Sequence, residues 1–294
     1  MNPRLGALLA VIFWGISFVA TKATLHEVSP VTLIFIRFLI GTLFLLAATR
    51  RLPPRDAWRE LLLMGFLGVF VHQMLQATAL TMTTAVHAGW LIGIIPIWSA
   101  LLSAIVLRER IGAWKLLGIA GGFAGALLVI TRGDLSSNII ALPSTKGDLL
   151  ILLSTINWAV YSVVGHATIR RIGPRLATTG AFLAGVGMLA PFFIARAGWR
   201  ELPHLTTAGW LSILFLGIGC SGLGYLFWYG ALERIEVSRV AALLYLEPIV
   251  TFLTAVALLH EPVSGIAVAG GLLVLASVVL MQYAPAASRQ ASMG

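Results

Sequence analysis

Long apolar segments alternate with short polar connections along the whole chain. A membrane-spanning helix needs about 20 mostly apolar residues, so this pattern predicts an all-α bundle of ten such helices. The short connections indicate that neighbouring helices run antiparallel. The predicted spans are 5–24, 31–49, 61–80, 86–107, 114–131, 148–166, 176–195, 209–231, 239–258 and 264–283.

The composition indicates a protein surrounded by lipid rather than by water. Of 294 residues, 59% are hydrophobic and only 11% are charged, and the mean hydropathy is +0.96, whereas soluble domains carry about 25% charged residues. In a soluble protein the net charge of +9 would suggest a nucleic-acid partner, but here the basic residues lie in short connections. We therefore predict a multi-pass protein of the bacterial inner membrane that binds no nucleic acid.

The distribution of Lys and Arg predicts the orientation. Most of the 20 basic residues lie in the N-terminal tail and in alternate connections, and membrane proteins place such connections in the cytoplasm. Both termini are therefore predicted to be cytoplasmic. Lys22 and Arg37 differ from the other basic residues because they fall inside predicted spans.

The two halves of the chain resemble each other. The segment "GIIPIWSALLSAIVLRER" at 93–110 aligns with "YLEPIVTFLTAVALLHEP" at 245–262, so that Pro96 falls on Pro248. Each half has an odd number of predicted spans, so the second half enters the membrane from the opposite side, as in the inverted repeats of secondary transporters. The predicted divisions are 1–131 for the first repeat, 132–147 for an external linker, 148–284 for the second repeat and 285–294 for a cytoplasmic tail.

The chain resembles the EamA-type drug/metabolite transporter superfamily over essentially its whole length, most clearly in "AVIFWGISFVATKAT", "VSPVTLIFIRFLIGTLFLL", "IPIWSALLSAIVLRERI" and "LEPIVTFLTAVALLHEPV". The resemblance implies ten helices in two inverted five-helix repeats and export of small solutes, often amino acids or related metabolites. One branch of the superfamily exports aromatic and other neutral amino acids. The second half departs from the pattern, because "GPRLATTGAFLAG" has no counterpart of Arg37.

Polar and aromatic residues recur at helical spacing in several spans, and such stripes are expected to face a solute path rather than lipid. Aromatic walls with few charges suit a neutral or amphiphilic solute, although some of these rings are expected only to pack. The candidate substrate-binding residues are Trp14, Ser17, His72, Gln76, Pro96, Trp158, Tyr161, Tyr225, Tyr229, Tyr245, Glu247 and Pro248.

Glu247 lies near the centre of the ninth predicted span, where a charge costs at least roughly 2.5–3.5 kcal/mol. It is expected to receive a substrate amine, to exchange a proton, or to have a structural partner in Arg37, Lys22 or a tyrosine hydroxyl. Arg37 is predicted either to bind a substrate carboxylate or to close an external gate through a salt bridge. Lys22 is predicted to extend its amine to the interface, and these two residues are the gating or ion-pair candidates.

Pro96 and Pro248 are expected to interrupt their helices, because proline lacks an N–H and displaces the carbonyl four residues earlier. In lipid a freed carbonyl needs water or a polar neighbour, so the prolines either border a wet cavity or only kink the helices for packing. His72 is expected to be either a hydrogen-bonded helix contact or a proton carrier.

The fifth and tenth spans carry small residues that allow close helix packing. These residues are expected either to pack within one monomer or to form a dimer contact, so the predicted state is a monomer or a weak homodimer. They are Gly118, Gly121, Gly122, Gly125, Ala267 and Gly271.

These patterns favour a secondary transporter that exports small organic solutes, above all neutral or aromatic amino acids, by alternating access through a cavity between the repeats. The alternatives are a transporter of nucleosides or drugs, an integral membrane enzyme, and a scaffold. Neither G-x-x-x-x-G-K-[ST] nor H-E-x-x-H occurs, so we expect no enzyme activity, no cofactor and no metal. The inverted repeat favours transport, because an enzyme or a scaffold does not need two-sided pseudo-symmetry.

Overall fold

The computed structural model describes residues 2–107, 112–133 and 144–283, and within this part ten helices are long and apolar enough to cross a membrane. The prediction of a ten-helix, all-α bundle is therefore confirmed. Residues 134–143 of the predicted linker and the predicted tail at 285–294 lie outside the described residues. The helices are α1 (Pro3–Thr24), α2 (Pro30–Thr49), α3 (Arg55–Leu80), α4 (Ala85–Leu102), α5 (Ala113–Thr131), α6 (Thr145–Ile172), α7 (Pro174–Ala195), α8 (Thr207–Leu232), α9 (Arg239–Leu259) and α10 (Gly265–Gln282).

Polar side chains fix where several helices begin. Asn2, Ser29, Thr84 and Thr206 each precede a helix, and each side-chain oxygen accepts a hydrogen bond from a backbone N–H of the first turn. Such caps satisfy donors that have no partner inside the helix. Proline opens α1, α2 and α7, where its missing N–H costs nothing.

Two helices extend further than the hydropathy pattern predicts. α3 begins at Arg55 and α6 ends at Ile172, and the added turns are held together by an ion pair from Arg171 Nη1 to Asp56 Oδ2 at 2.5 Å. A span predicted from hydropathy ends where charged residues begin. The helix itself continues, because its backbone hydrogen bonds do not depend on the polarity of the side chains.

The interruptions predicted at Pro96 and Pro248 are both present. In each helix the break comes about one turn before or directly at the proline, since proline cannot continue the hydrogen-bond ladder. The two breaks also meet, because a Cβ built on Gly93 would lie 3.6 Å from Cγ of Pro248. The regular segments on either side are Ala85–Ile92 and Ile95–Leu107 in the first repeat, and Val237–Ala242 and Leu246–Leu259 in the second, with a 3-10 turn at Leu243–Tyr245.

The middle of α3 and the middle of α8 form wider, π-helical turns, at Phe66–Val71 and Phe215–Gly224. The two segments occupy corresponding places in the two repeats. In α3 the widened turn contains Gly68, which is buried against α6: a Cβ built there would lie only 2.7 Å from the ring of Tyr161. π-Helical turns are rare and often lie at functional sites, and the hydropathy pattern gave no sign of them.

The main helix contacts of the first five helices resemble those of the last five. α1 packs against α8 and α9, as α6 packs against α3 and α4; α2 contacts α8, as α7 contacts α3. The pairs α2–α7, α4–α9 and α5–α10 each join corresponding helices of the two halves. These contacts are consistent with the predicted repeat, whose boundaries and inversion across the membrane stay predictions.

The small residues of α5 and α10 pack these two helices against each other within the chain. A Cβ on Gly125 would lie 2.6 Å from the carbonyl oxygen of Gly270, and one on Gly118 would lie 2.3 Å from Met281. Gly122 and Gly271 instead accommodate Ile97 and Trp90 of α4. Of the two alternatives, these contacts support packing inside the monomer.

Candidate functional site

Aromatic side chains of α1 and α8 form one side of a central group. The ring of Trp14 lies 5.4 Å from that of Tyr225 and 5.3 Å from that of Trp228, and Tyr225 lies 6.0 Å from Tyr229. Trp14 Nε1 donates to the carbonyl oxygen of Cys220 at 3.1 Å. This bond fixes the indole across the π-helical turn of α8.

Aromatic side chains of α3 and α6 form the other side. Trp158 stacks between His72, at 4.8 Å, and Tyr161, at 4.9 Å. His72 is buried, and its Nδ1 lies 3.0 Å from the carbonyl oxygen of Ser154. Because a carbonyl only accepts, Nδ1 carries a hydrogen, so His72 makes a hydrogen-bonded contact between α3 and α6.

The two sides are joined through Arg37 of α2, which donates to Ser221 of α8 and to Gln73 of α3. Thr178 of α7 donates to the Tyr229 hydroxyl at 3.0 Å. The structure therefore brings together most of the predicted aromatic residues. We call this set the ring cluster: Trp14, His72, Trp158, Tyr161, Tyr225, Trp228 and Tyr229.

Arg37 lies buried in α2, with only 7% of its surface exposed. Its Nε donates to Ser221 Oγ at 3.1 Å and its Nη1 to Gln73 Oε1 at 3.4 Å. Both acceptors are neutral, and no carboxylate in the described part of the chain pairs with the guanidinium. The salt bridge that we considered as an external gate is therefore not among the described contacts.

Glu247 is partly buried at the start of the second segment of α9. Its carboxylate has no hydrogen bond or ion pair with any described residue, so the structural partners considered for it, Arg37 and Lys22 among them, are not bonded to it. The backbone carbonyl of Glu247 would lie 3.0 Å from a Cβ on Gly15, the neighbour of Trp14. Glu247 therefore lies beside the ring cluster, as Arg37 does, without being bonded to Arg37.

Lys22 reaches the end of α3 and the connection that follows it. Its Nζ donates to the carbonyl oxygens of Leu80, at 2.8 Å, and Thr83, at 2.5 Å. Leu80 is the last residue of α3, and a cation at a helix C-terminus is stabilised by the unpaired carbonyls and the helix dipole. The predicted extension of the amine to the membrane interface stays a prediction. Lys22 therefore anchors α3 to α1.

The other predicted residues lie near the ring cluster in different roles. Ser17 donates to the carbonyl of Trp14 in its own helix at 2.6 Å. Pro248 is buried, whereas Gln76 and Tyr245 are partly buried. Pro96 and Pro248 lie at the breaks of α4 and α9, so their contribution is to the shape of the helices rather than to polar contacts.

Sequence reasoning missed a buried polar network around the connection between α3 and α4. Asp148 is fully buried and accepts hydrogen bonds from Thr83 Oγ1 and from His87 Nδ1, the latter at 3.0 Å. Glu261 accepts from the backbone N–H groups of Ala85, at 2.8 Å, and Val86, at 2.9 Å. Both acids lie at span ends in the sequence, where a charge is ordinary, so only their burial distinguishes them.

Two further carboxylates tie the α1–α2 connection to the α7–α8 connection. Glu201 accepts from the backbone N–H of Ser29 at 2.6 Å, and Glu27 accepts from the backbone N–H of Thr206 at 2.7 Å. Together with the network around Asp148, these bonds define what we call the clamped end of the bundle, which carries the connections 25–29, 81–84, 196–206 and 260–264.

The opposite end is held by exposed ion pairs. Arg171 pairs with Asp56, and Arg175 Nη2 lies 3.6 Å from Glu233 Oε2, with both side chains of the second pair about half exposed. Exposed ion pairs contribute about 0–1 kcal/mol, much less than buried, hydrogen-bonded carboxylates. The two ends therefore differ in how firmly they are closed.

The sequence pattern of the EamA-like transporter family matches the chain twice, over residues 3–131 and 145–283. The chain belongs to this family. An uncharacterized transporter of Archaeoglobus fulgidus is 34% identical over 278 residues, which cover 93% of this chain and 96% of that protein.

Two relatives of this EamA-like transporter have more specific names. A probable amino-acid metabolite efflux pump of Salmonella typhimurium is 28% identical, covering 93% of this chain and 92% of its own length. A probable terminal-alkyne amino-acid exporter of Streptantibioticus cattleyicolor is also 28% identical, covering 93% and 91%. A crystal structure with 22% identity shares the fold, with a TM-score of 0.64 over 95% of this chain and 96% of that one.

Two grooves of about 390 Å³ each lie away from the ring cluster of this EamA-like transporter. One lies between α1 and α9 and includes Arg4 and Arg239. The other is lined mainly by α3 and α7, with Phe70, Met74 and Phe192. Neither includes a member of the ring cluster, so the central cavity between the repeats stays a prediction.

Proposed function

We propose that this EamA-like transporter exports neutral amino acids with large apolar or aromatic side chains. The ring cluster carries the proposal: it is built from α1 and α8 on one side and from α3 and α6 on the other, so each side combines one helix from each repeat. Aromatic faces bind apolar side chains and organic cations while leaving few fixed charges. The names of the two amino-acid relatives support the same solute class.

We propose alternating access as the mechanism, with the clamped end facing the outside. The excess of Lys and Arg in the connections of the opposite end supports this orientation. The breaks of α4 and α9 and the π-helical turns of α3 and α8 give four helices a place to bend. The contacts at the two ends then correspond to a state that is closed outside and more easily opened inside.

The transport proposal is tested with the purified protein in liposomes. Vesicles loaded with unlabelled tryptophan, leucine, glutamate or uridine are diluted into labelled tryptophan, with and without a pH gradient. We expect exchange with tryptophan and leucine, and not with glutamate or uridine, because the ring cluster favours net-neutral solutes with apolar side chains. In a parallel assay with labelled uridine outside, exchange with internal uridine, together with no uptake of labelled tryptophan into any vesicles, would show that the solute class is a different one.

A second prediction concerns the clamped end. Replacing Glu27 and Glu201 together with glutamine should favour the state open at that end, because the hydrogen bonds to Thr206 and Ser29 exist only while it is closed. Cys220 is the single cysteine and is buried beside the ring cluster. We therefore expect it to react several-fold faster with a membrane-impermeant thiol reagent added to right-side-out vesicles.

The matched control for this labelling is Glu233→Gln, which removes an exposed ion pair at the opposite end. It should leave the labelling rate of Cys220 from the outside unchanged, and Cys220→Ser gives the background. Equal labelling rates in the double variant and the wild type would contradict the assignment of the clamp.

A further inference from the structure

Two ionisable side chains near the ring cluster, Arg37 and Glu247, have no oppositely charged partner among the residues that the structure describes. Removing a charge from water costs several kcal/mol unless it is paired and hydrogen-bonded. Arg37 has only neutral acceptors, Ser221 and Gln73, and Glu247 has no bonded partner among the residues that the structure describes. A site of this kind is complete only when something else supplies the opposite charges.

The two charges belong to one site rather than to separate regions. Arg37 donates to Ser221 of α8, and the carbonyl oxygen of Glu247 would lie 3.0 Å from a Cβ on Gly15. Gly15 follows Trp14, whose indole donates to the carbonyl of Cys220 and packs against the ring of Tyr225. Cys220 and Tyr225 lie on α8, at the π-helical turn and just after it. Arg37 and Glu247 therefore both lie beside the side of the ring cluster that α1 and α8 form.

The guanidinium is oriented for a planar anion. Its Nε and one N–H of Nη1 are used for Ser221 and Gln73, while Nη2 has no hydrogen-bond partner in the described part of the chain. The fork of Nη groups matches the two oxygens of a carboxylate. Phe38 packs below it, with its ring centroid 5.2 Å from Cζ, and restricts the guanidinium.

We infer that Arg37 and Glu247 bind the two charged groups of an α-amino acid, and this inference rests on the proposed function. Arg37 binds the carboxylate, Glu247 binds the ammonium group, and the side chain lies against Trp14 and Tyr225. A zwitterion pairs both charges at once. A ligand with only the amine leaves Arg37 without a partner, and a ligand with only the carboxylate leaves Glu247 without one. Both kinds of ligand are therefore expected to bind more weakly than the amino acid.

Three compounds with the same indole ring separate these contributions: tryptophan, tryptamine, which lacks the carboxylate, and indole-3-propionate, which lacks the amine. Binding is measured with the wild-type protein in detergent, as the ligand-induced rise in Tm, and transport as exchange in liposomes. We expect the wild type to prefer tryptophan to either analogue by about tenfold or more.

Each variant should reduce the preference for tryptophan over a different analogue. Glu247→Gln should weaken the binding of tryptophan at least tenfold, and it should narrow or remove the preference for tryptophan over indole-3-propionate. Arg37→Gln should weaken the binding of tryptophan by a similar factor, and it should narrow the preference for tryptophan over tryptamine. Each variant tests its own charge, and Glu247→Ala and Arg37→Met, which also remove the charges, replace a glutamine variant that does not fold.

The outcomes distinguish this inference from the proposed function. Suppose that the wild type exchanges tryptophan, and that both variants bind tryptophan as tightly as the wild type does and prefer it to both analogues to the same extent. The charge assignment is then overturned, and amino-acid transport stands. If both variants lose affinity for all three compounds equally, the two residues support the site without reading the charges, and the assignment is again overturned. If the wild type binds and exchanges no amino acid, the proposed function itself fails.

Discussion

Replacing Gly125 with leucine is expected to prevent α5 from packing against α10. A Cβ at this position would lie 2.6 Å from the carbonyl oxygen of Gly270 and 2.9 Å from the backbone nitrogen of Val274, and a Cβ on Gly270 would meet the Gly125 carbonyl at 2.7 Å. These are backbone atoms, so the collision is relieved only by moving a helix. Overpacking of this kind costs about 3 kcal/mol.

The measurement is the Tm of the purified protein in detergent, together with the yield of monodisperse protein. Gly187→Leu is the matched control, because nothing lies within 4 Å of a Cβ at that exposed position of α7. We expect Gly125→Leu to lower both quantities strongly and Gly187→Leu to change neither. If the Gly125→Leu variant had the same Tm as the wild type, α5 and α10 would not be in this contact.

Replacing Asp148 with alanine is expected to be the most destabilising change at the clamped end. The carboxylate is fully buried and holds Thr83 and His87, and its removal leaves both side chains buried without their acceptor. Breaking a buried, hydrogen-bonded pair by removing one partner costs about 3 kcal/mol. The expected result is a lower Tm and earlier loss of structure as SDS is added.

Two comparisons make this prediction specific. Asp148→Asn keeps an acceptor oxygen and should recover part of the stability, since at least one of the two bonds can form. Asp56→Ala removes an exposed carboxylate that pairs with Arg171 and should cost less than about 1 kcal/mol. If Asp56→Ala were as damaging as Asp148→Ala, the buried network would not be what stabilises this end.

The ten helices were predictable because the bilayer leaves few alternatives. Backbone groups in lipid must be paired within the segment, so a long apolar run such as 31–49 has to form a helix, and the structure has α2 at Pro30–Thr49. The breaks before Pro96 and Pro248 were equally predictable, because the chemistry of proline acts locally. The ends of α3 and α6 were not, since charged turns continue a helix beyond the apolar segment.

The ring cluster was predictable in its members but not in its arrangement. Helical spacing placed Trp14, Trp158 and Tyr225 on polar stripes. In the structure Trp14 packs against Tyr225, and Trp158 packs against Tyr161. The π-helical turns that shift the register of α3 and α8 have no signature in the hydropathy pattern. Residues such as Tyr161 reach their positions only because a neighbouring helix leaves room at Gly68.

The sequence by itself determined the number of spans, the repeat, the proline breaks and the residue types available to a solute path, because each follows from local chemistry or from the thickness of a bilayer. Tertiary structure alone decided the partners. It buried Asp148 with Thr83 and His87, and it directed Lys22 to the end of α3. Within the described ranges it gave Arg37 only neutral acceptors and gave the Glu247 side chain no bonded partner. Partner choice depends on the rotation and proximity of helices far apart in the chain, which no single segment encodes.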